Sequence, residues 1–333
     1  MGTQTVFSRH VEEDLRGLLA FLESKRVLLL TEPSRRFVDR VGPLLETYAL
    51  FDEVRVHVPE ATVAAASAKL RDVRPDTIIT LGGGSATGLG KALRLEHSEV
   101  SFLAIPTTYA GSEQTSIYGI KRGHDKHTGR DERVRPDAIL YSTEFTMLPE
   151  RMTAQSLLNA MAHPVSALWE SARGGEMNSA LRERALAAVR QTLLALEALA
   201  KAPRSASGRE LALRATASTG SIIEEGELGP HHHVAHFFGG RFDLEHSALH
   251  SLLLPHTLAY LHENFSSLFG ELEKATACPD LPGVTFDLLR RSGAKTTLIE
   301  LGVEPGAAEE ALAERAELPQ SSYRTRTEGR PPA

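Results

Sequence analysis

Short apolar runs alternate with helical patterns through the first half of the chain. The run Arg26–Thr31 (RVLLLT) is followed by turn-forming residues and predicts a buried strand. Further strands are predicted at Val54–Val58, Thr77–Leu81 and Ser101–Ile105, and a helix is predicted over Ala61–Val73. Because the runs are apolar throughout rather than alternating, they favour a parallel sheet covered by helices on both faces.

The strand pattern fades in the second half, where long Ala/Leu-rich segments carry helical spacing. Ser179–Ala200 and Glu210–Glu225 are two of them, and Pro149 interrupts regular structure just before a helix predicted from about Arg151. We therefore predict an α/β domain over residues 1–148, an all-helical domain over residues 149–318, and a polar C-terminal tail over residues 319–333.

Composition narrows the class of protein. A chain of 333 residues with 41% hydrophobic and 24% charged residues is long enough for two globular domains. A formal net charge of -6 gives no general attraction to nucleic acid, and we find no signal peptide and no apolar run of membrane-spanning length. The single cysteine, Cys278, excludes an internal disulfide. We expect a cytoplasmic protein whose partner is a small molecule, not nucleic acid or membrane.

A glycine-rich segment links the third predicted strand to a helix. It reads LGGGSATGLGKAL over Leu81–Leu93. Glycines let backbone amides approach a ligand closely, and a helix N-terminus favours anions, so the segment predicts a phosphate site. The contributing residues would be Gly82, Gly83, Gly84, Ser85 and Thr87. Lys91 is followed by alanine, which disfavours a Walker-type ATPase. A plain tight turn is the alternative.

Two motifs in this order carry a family resemblance. GGGSATGLGKA followed by AIPTTYAGSEQT (Ala104–Thr115) resembles the cofactor motifs of the maleylacetate reductase branch of the iron-containing alcohol dehydrogenase superfamily, and the similarity extends over about Val27–Gly302. It implies an α/β nucleotide-binding domain joined to an all-α domain, the fold also found in dehydroquinate synthases. It also implies an NAD(P)-dependent oxidoreductase that forms a homodimer.

The resemblance assigns further cofactor contacts to Thr107, Thr108, Ser112 and Lys126. Tyr109 directly follows Thr107 and Thr108, so we expect its ring beside the nicotinamide and the substrate, with a packed core tyrosine as the alternative.

Glu32 follows the first predicted strand. There a carboxylate can accept hydrogen bonds from the adenosine ribose and repel a 2′-phosphate, which favours NAD(H) over NADP(H). The alternative is an ordinary turn glutamate exposed to solvent.

Histidines are concentrated in the helical half. Asn159 and His163 are four residues apart and so share one face of a helix. GPHHHVAHFFGGRFDLEHSALH then contains His231, His232, His233, His236, His246 and His250. Such a cluster fits either a divalent metal or acid–base chemistry. We expect His231, His233 and His250 to pack in the core or cap helices.

The resemblance also bears on the metal. Metal-dependent members of the superfamily hold their ion with an aspartate and a histidine four residues apart, followed by two histidines fourteen apart. Here the spacing gives Asn159, His163, His232 and His246. A neutral amide compensates none of the charge on the ion, and maleylacetate reductases share this asparagine. A bound iron or zinc ion is therefore the less favoured expectation.

Without a metal, the histidines would bind a dicarboxylate and supply a proton. We assign catalytic roles to His163, His232, His236 and His246, and substrate contact to Asn159.

These assignments predict reduction of maleylacetate to 3-oxoadipate, or of a related enone or keto acid. Three alternatives stay open: a metal-dependent alcohol dehydrogenase or aldehyde reductase, a non-redox lyase or synthase of the same fold, and a binding protein without activity. From Pro319 onward the sequence has no apolar spacing, so we expect the terminal helix of the family to be missing or replaced here.

Overall fold

The chain divides between Met147 and Leu148 into two compact units, which we call the N-terminal and C-terminal units. The structure is a computed structural model that describes residues 2–123 and 125–313. The predicted tail at residues 319–333 and the side chain of Lys126 lie outside the described residues.

The N-terminal unit is built on a six-stranded parallel sheet. Its strands are β1 (Gln4–Ser8), β2 (Arg26–Thr31), β3 (Thr47–Phe51), β4 (Thr77–Gly82), β5 (Ser101–Pro106) and β8 (Ala138–Ser142), in the order β1-β8-β5-β4-β2-β3. Every residue of β4 and β8 is buried, because a parallel sheet has helices on both faces. An antiparallel hairpin, β6 (Ile117–Arg122) and β7 (Asp125–Arg130), stands apart from this sheet.

The helices of this unit fill the connections between parallel strands. They are α1 (Val11–Phe21), α2 (Val38–Val41), α3 (Glu60–Val73) and α4 (Gly84–Glu96). Leu15 and Leu18 of α1 pack with Leu29, Ile79 and Leu103 from three different strands in one hydrophobic core. This alternation of strand and helix confirms the α/β class expected for the first half.

One predicted strand is wrong. Residues Val54–Val58 alternate in hydrophobicity as a strand would, but they form a loop in which His57 and Val58 take left-handed φ values of 65° and 52°. The edge of the sheet is occupied instead by β3, which pairs with β2. Main-chain contacts to Lys121 tie residues 58 and 59 to the β6–β7 hairpin.

The C-terminal unit is helical in the part that the structure describes, as predicted. Its helices are α5 (Glu150–Ala172), α6 (Ser179–Lys201), α7 (Ala206–Glu225), α8 (Pro230–Phe242), α9 (His246–Asn264), α10 (Ser266–Thr276), α11 (Leu281–Arg291) and α12 (Ala307–Ala313). Helix α5 begins after Pro149 and lies against α6, α7 and α9, which explains its nearly continuous buried stretch from Ala154 to Trp169.

Local signals set the helix boundaries. The side chains of Asn178, Ser205 and Asp280 accept hydrogen bonds from the first turns of α6, α7 and α11, which satisfies amides that lack a partner within the helix. Pro230 stands at the start of α8, where its missing N–H costs no hydrogen bond. Among the helices described, none is both long and apolar enough to cross a membrane.

Candidate active site

The glycine segment forms a tight turn from β4 into α4. Gly82 ends the strand, Gly83 is the extended N-cap residue, and Gly84 begins the helix. A Cβ atom on Gly82 would lie 2.5 Å from Oε1 of Glu32, so no larger residue fits there. Oε1 of Glu32 also accepts a hydrogen bond of 3.0 Å from the amide of Gly83. The carboxylate after β2 and the glycine turn therefore belong to one site.

The segment after β5 lies against the same turn. The amide of Thr107 donates to the carbonyl of Gly82 at 2.9 Å. A Cβ atom on Gly83 would lie 3.4 Å from Oγ1 of Thr108, and one on Gly84 would lie 3.9 Å from Oγ of Ser112. The structure thus brings together three hydroxyl-bearing residues predicted from separate parts of the motif.

The hydroxyl of Ser112 has no hydrogen-bond partner although its oxygen is buried. A buried hydroxyl without a partner is unfavourable in the free protein and is satisfied by a polar ligand. Together with the space left at Gly84, this atom fits a bound phosphate group. The turn also directs the N-terminus of a thirteen-residue helix at the site, which favours an anion.

Other predicted cofactor residues differ in their placement. Ser85 is half-buried in the first turn of α4, whereas Thr87 is buried and its amide donates to the carbonyl of Gly83 at 3.2 Å. The ring of Tyr109 is fully buried, and its hydroxyl donates to the carbonyl of Thr146 at 3.1 Å. Tyr109 is thus placed as a packed side chain, which corresponds to the alternative given above and offers a substrate no accessible surface.

The C-terminal unit brings Asn159 and His163 of α5 against the histidines of α8. Asn159 is 5% and His163 8% exposed, and the ring of His163 stacks on that of His232 with centroids 5.1 Å apart. Three buried polar side chains, Asn159, His163 and His232, have ring nitrogens or an amide oxygen without a partner. These atoms fit a ligand that the protein itself does not provide.

A second part of the cluster joins α8 to α9. His236 and His246 have ring centroids 5.8 Å apart, and His246 and His250 have centroids 4.2 Å apart. Ligand atoms of these three histidines all lie within 4.8 Å of one another. His250 also lies 4.7 Å from His232, centroid to centroid, so the two parts form one histidine cluster.

His250 packs in the core, as the sequence analysis expected, and it also belongs to the histidine cluster. It is fully buried, and its Nε2 atom has no partner. His246 and His250 are four residues apart, as are His232 and His236, so the sequence shows that each pair shares one helix face. Only the packing of α8 against α9 shows that the two pairs meet.

His231 is buried, as the sequence analysis expected, whereas His233 is not. Nδ1 of His231 lies 2.8 Å from Oγ1 of Thr257, and its Nε2 lies 3.0 Å from Nδ1 of His250. His231 therefore holds His250 in position. His233 is exposed, so the expectation that it packs in the core is wrong for this residue.

Burial determines the charge of the cluster. Desolvation lowers the pKa of His163 to about 3, with a smaller contribution from His236, and it lowers the pKa of His231 to about 3 as well. Burial also holds the pKa values of His232 and His250 well below the usual range. These imidazoles are neutral near pH 7, so those of His163 and His232 act through hydrogen bonding or coordination rather than as cations.

The donors can be tested against the metal that the family implies. Neutral imidazoles and an amide oxygen are suitable ligands for a divalent transition metal, and several of these buried atoms have no partner. Asn159 adds no negative charge, however, so the set compensates the ion less than an aspartate would. The site fits a divalent ion through nitrogen donors, with reduced charge compensation.

A parallel sheet with a glycine turn for phosphate, followed by a helical unit with a buried histidine cluster, fits the class of nicotinamide-dependent dehydrogenases. The sequence profile "Iron-containing alcohol dehydrogenase" matches residues 2–143, and "Fe-containing alcohol dehydrogenase family, C-terminal" matches residues 153–328. The chain belongs to the iron-containing alcohol dehydrogenase family, and it is an NAD(P)-dependent oxidoreductase that acts on a small molecule.

Similar proteins support the expected branch of this family. The chain is 37% identical to a maleylacetate reductase of Burkholderia cepacia over 304 residues, which cover 90% of this chain and 85% of that protein. It is 33% identical to maleylacetate reductase 1 of Cupriavidus pinatubonensis, with 92% and 86% covered. A crystal structure of maleylacetate reductase from Agrobacterium tumefaciens superposes with a TM-score of 0.83 at 32% identity, covering 94% of this chain and 90% of that one. The resemblance stated from the motifs is confirmed.

Proposed function

We propose that this protein reduces maleylacetate to 3-oxoadipate with NADH, or acts in the same way on a closely related enone or keto acid. The observation that carries the proposal is the histidine cluster around Asn159, which combines uncharged imidazoles able to form hydrogen bonds with an amide where a metal-binding carboxylate would stand. Similarity to proteins named maleylacetate reductase over about nine tenths of the chain supports the substrate.

The cofactor end of the reaction rests on the N-terminal unit. The amide of Gly84 and the hydroxyl of Ser112 would bind the pyrophosphate, since the amide of Gly83 is already bonded to Glu32. Thr107 and Thr108 border the same turn. When bound, the nicotinamide supplies a hydride to the substrate.

Glu32 supports NADH rather than NADPH. Its carboxylate is held beside the turn by the 3.0 Å hydrogen bond from Gly83. In this position it can accept from a ribose hydroxyl, and its charge opposes a 2′-phosphate.

The substrate end of the reaction rests on the C-terminal unit. Hydride addition to the alkene carbon β to the ketone leaves an enolate, which needs a hydrogen bond at its oxygen and a proton at the other alkene carbon. His236 and His246 are the proposed proton donors, since His236 is exposed and His246 half-buried, whereas His163 and His232 are buried and neutral. Asn159, His163 and His232 would hold the substrate by hydrogen bonds.

A divalent ion defines the second candidate, a metal-dependent aldehyde reductase or alcohol dehydrogenase. The close approach of His236, His246 and His250 favours it. The alternative ligand set, from the family spacing, is Asn159, His163, His232 and His246. A bound iron or zinc ion would polarise the carbonyl of the substrate.

The deciding experiment follows NADH oxidation at 340 nm with purified, metal-analysed protein. We expect turnover of maleylacetate that persists after chelation and far exceeds that of simple aldehydes. Loss of turnover on chelation, restored by iron or zinc, would support the metal-dependent enzyme. Tight NAD binding without net NADH oxidation would point to a non-redox lyase or synthase.

We also propose that the protein is a cytoplasmic homodimer, as the family resemblance implies. Sedimentation velocity of the purified protein tests the dimer: a single species of twice the chain mass is expected, and a monomer at micromolar concentration would reject it.

A further inference from the structure

Lys91 lies on α4, two turns after the glycines, and is only 1% exposed. A buried ammonium group is unfavourable unless it is fully hydrogen-bonded. Its Nζ atom lies 2.6 Å from the carbonyl of Ser112, 2.7 Å from that of Thr115 and 2.8 Å from that of Ile117. A fourth acceptor, the hydroxyl of Thr115, lies at 2.8 Å. Lys91 therefore contacts four acceptors within six residues of chain.

These contacts fix the segment that carries a predicted cofactor residue. Ser112 begins a short 3-10 turn after Gly111, whose φ of 79° lies in the left-handed region. Lys91 holds the carbonyl of Ser112, while the hydroxyl of Ser112 is buried, has no partner and lies next to the position of a Cβ on Gly84. One side of this residue is anchored by the protein, and the other faces the glycine turn.

The same segment contains a buried acidic residue, Glu113. Glu113 is 1% exposed and accepts a hydrogen bond of 2.6 Å from the hydroxyl of Tyr141. Burial raises the pKa of Glu113, whereas the hydrogen bond from Tyr141 and the positive charge of Lys91 lower it. Lys91 thus links the helix after the glycine turn to the whole segment from Ser112 to Ile117.

We propose that Lys91 is a positioning residue for the nicotinamide cofactor. By holding the carbonyls of Ser112, Thr115 and Ile117, it fixes the hydroxyl of Ser112 beside the glycine turn, where it binds the pyrophosphate. In this role the lysine binds the protein rather than the phosphate, unlike the lysine of a Walker motif. The inference rests on the proposed cofactor role of the glycine turn and Ser112.

The test compares Lys91→Met with the wild-type protein by fluorescence titration of NADH and by steady-state kinetics. Loss of the charge-assisted hydrogen bonds should raise the Kd and the KM for NADH about tenfold. The kcat at saturating NADH and the KM for maleylacetate should stay within about twofold, because the substrate contacts are elsewhere. If Lys91 served stability only, the substitution would lower the thermal midpoint but would not raise the KM for NADH selectively over the KM for maleylacetate.

Arg94 provides a matched control on the same helix. It is 8% exposed, and its guanidinium donates to the carbonyl of Arg133 at 2.9 Å and to Asp137 at 2.9 Å. Its partners lie outside the Ser112–Ile117 segment. Arg94→Met should therefore lower the thermal midpoint and leave the Kd for NADH within about twofold.

A double-mutant cycle tests the connection directly. Ser112→Ala should weaken NADH binding, and adding Lys91→Met to it should cost much less than Lys91→Met alone, because both act through the same hydroxyl. If Lys91→Met does not fold, Lys91→Gln, which keeps a polar group, replaces it in the same cycle.

The outcomes separate this inference from the proposed function. If the Lys91 variant binds NADH with the same Kd as the wild-type protein, the role of Lys91 is rejected. Fully additive effects in the double-mutant cycle would reject it too, and neither result would affect the proposed function. NADH binding without maleylacetate turnover would reject the substrate and leave the binding test intact. Failure of the wild-type protein to bind either nicotinamide cofactor would reject both.

Discussion

At the scale of single residues, each of the two units carries a polar side chain whose charge can be tested separately from its size. Glu32 combines a negative charge with a hydrogen bond to the glycine turn. Asn159 is the neutral counterpart of a carboxylate, with an amide oxygen that has no partner. Exchanging the carboxylate for an amide, or the reverse, changes the charge of each side chain and leaves its shape the same. The effect of charge can therefore be measured apart from the effect of packing.

Glu32→Gln tests the choice of cofactor. The amide keeps an oxygen to accept from Gly83 and removes the charge that opposes a 2′-phosphate. Relief of this repulsion, about 1 to 2 kcal/mol, should lower the KM for NADPH roughly tenfold and change that for NADH much less. Initial rates with both cofactors measure the change. An unaltered preference would assign cofactor choice to other residues.

Asn159→Asp tests the charge at the histidine cluster. A carboxylate at this position should tighten binding of Zn²⁺ or Fe²⁺ by roughly tenfold or more, because it compensates the charge of the ion. Isothermal titration with the metal measures this without relying on activity. Equal metal affinity of the two proteins would show that the asparagine does not weaken the site.

At the scale of elements, the cluster depends on how α8 and α9 are joined. His231 of α8 lies within hydrogen-bond distance of both His250 and Thr257 of α9. All three side chains are buried, so removing His231 leaves two polar groups without this partner and creates a cavity. Its neighbour His233 is exposed and makes a matched comparison.

His231→Ala should destabilise the C-terminal unit by about 2 to 4 kcal/mol, from the lost hydrogen bonds and the cavity. His233→Ala should change stability by less than about 0.5 kcal/mol. Urea unfolding followed by the fluorescence of Trp169, the single tryptophan of the chain, reports on the unit that contains both residues. Similar effects of the two substitutions would contradict the role given to His231.

At the scale of the whole molecule, the buried histidines make stability depend on pH. The folded-state pKa values of His163 and His231 are about 3, below the usual 6.5, so the unfolded chain binds more protons between these values. The stabilisation by neutral histidines is thus complete above about pH 6.5 and is lost as the pH falls towards 3. Acid should therefore destabilise the C-terminal unit.

Between pH 6.5 and 5.5 each of these two groups should reduce the unfolding free energy by about 1 kcal/mol, so by about 2 kcal/mol together. Urea midpoints from Trp169 fluorescence at the two pH values measure the loss. In the His231→Ala protein the unfolding free energy should fall by about 1 kcal/mol less over the same pH range, because one of the two histidines is absent. A flat profile would mean that the histidines are not buried as neutral groups.

Much of this protein followed from its sequence. Wholly apolar runs such as Thr77–Leu81 identified strands of the parallel sheet, and the helical spacing after Leu148 identified the helical half, because burial on both faces and the helical repeat leave direct marks on residue order. The glycine segment and its partner motif identified the family. The strand predicted at Val54–Val58 failed because local alternation does not show which segment pairs with the sheet edge.

Tertiary structure decided what each polar group contacts. Sequence order could not show that the four acceptors around Lys91 belong to residues 112 to 117, or that His250 joins His232 and His246 while Tyr109 is packed in the core. The packing of the elements in space decides which residues distant in sequence come into contact. It also decides how far a histidine is removed from water, which sets its pKa. The sequence by itself determined most of the strands and helices and the family. Only the packing of these elements determined which buried polar atoms have no hydrogen-bond partner within the protein.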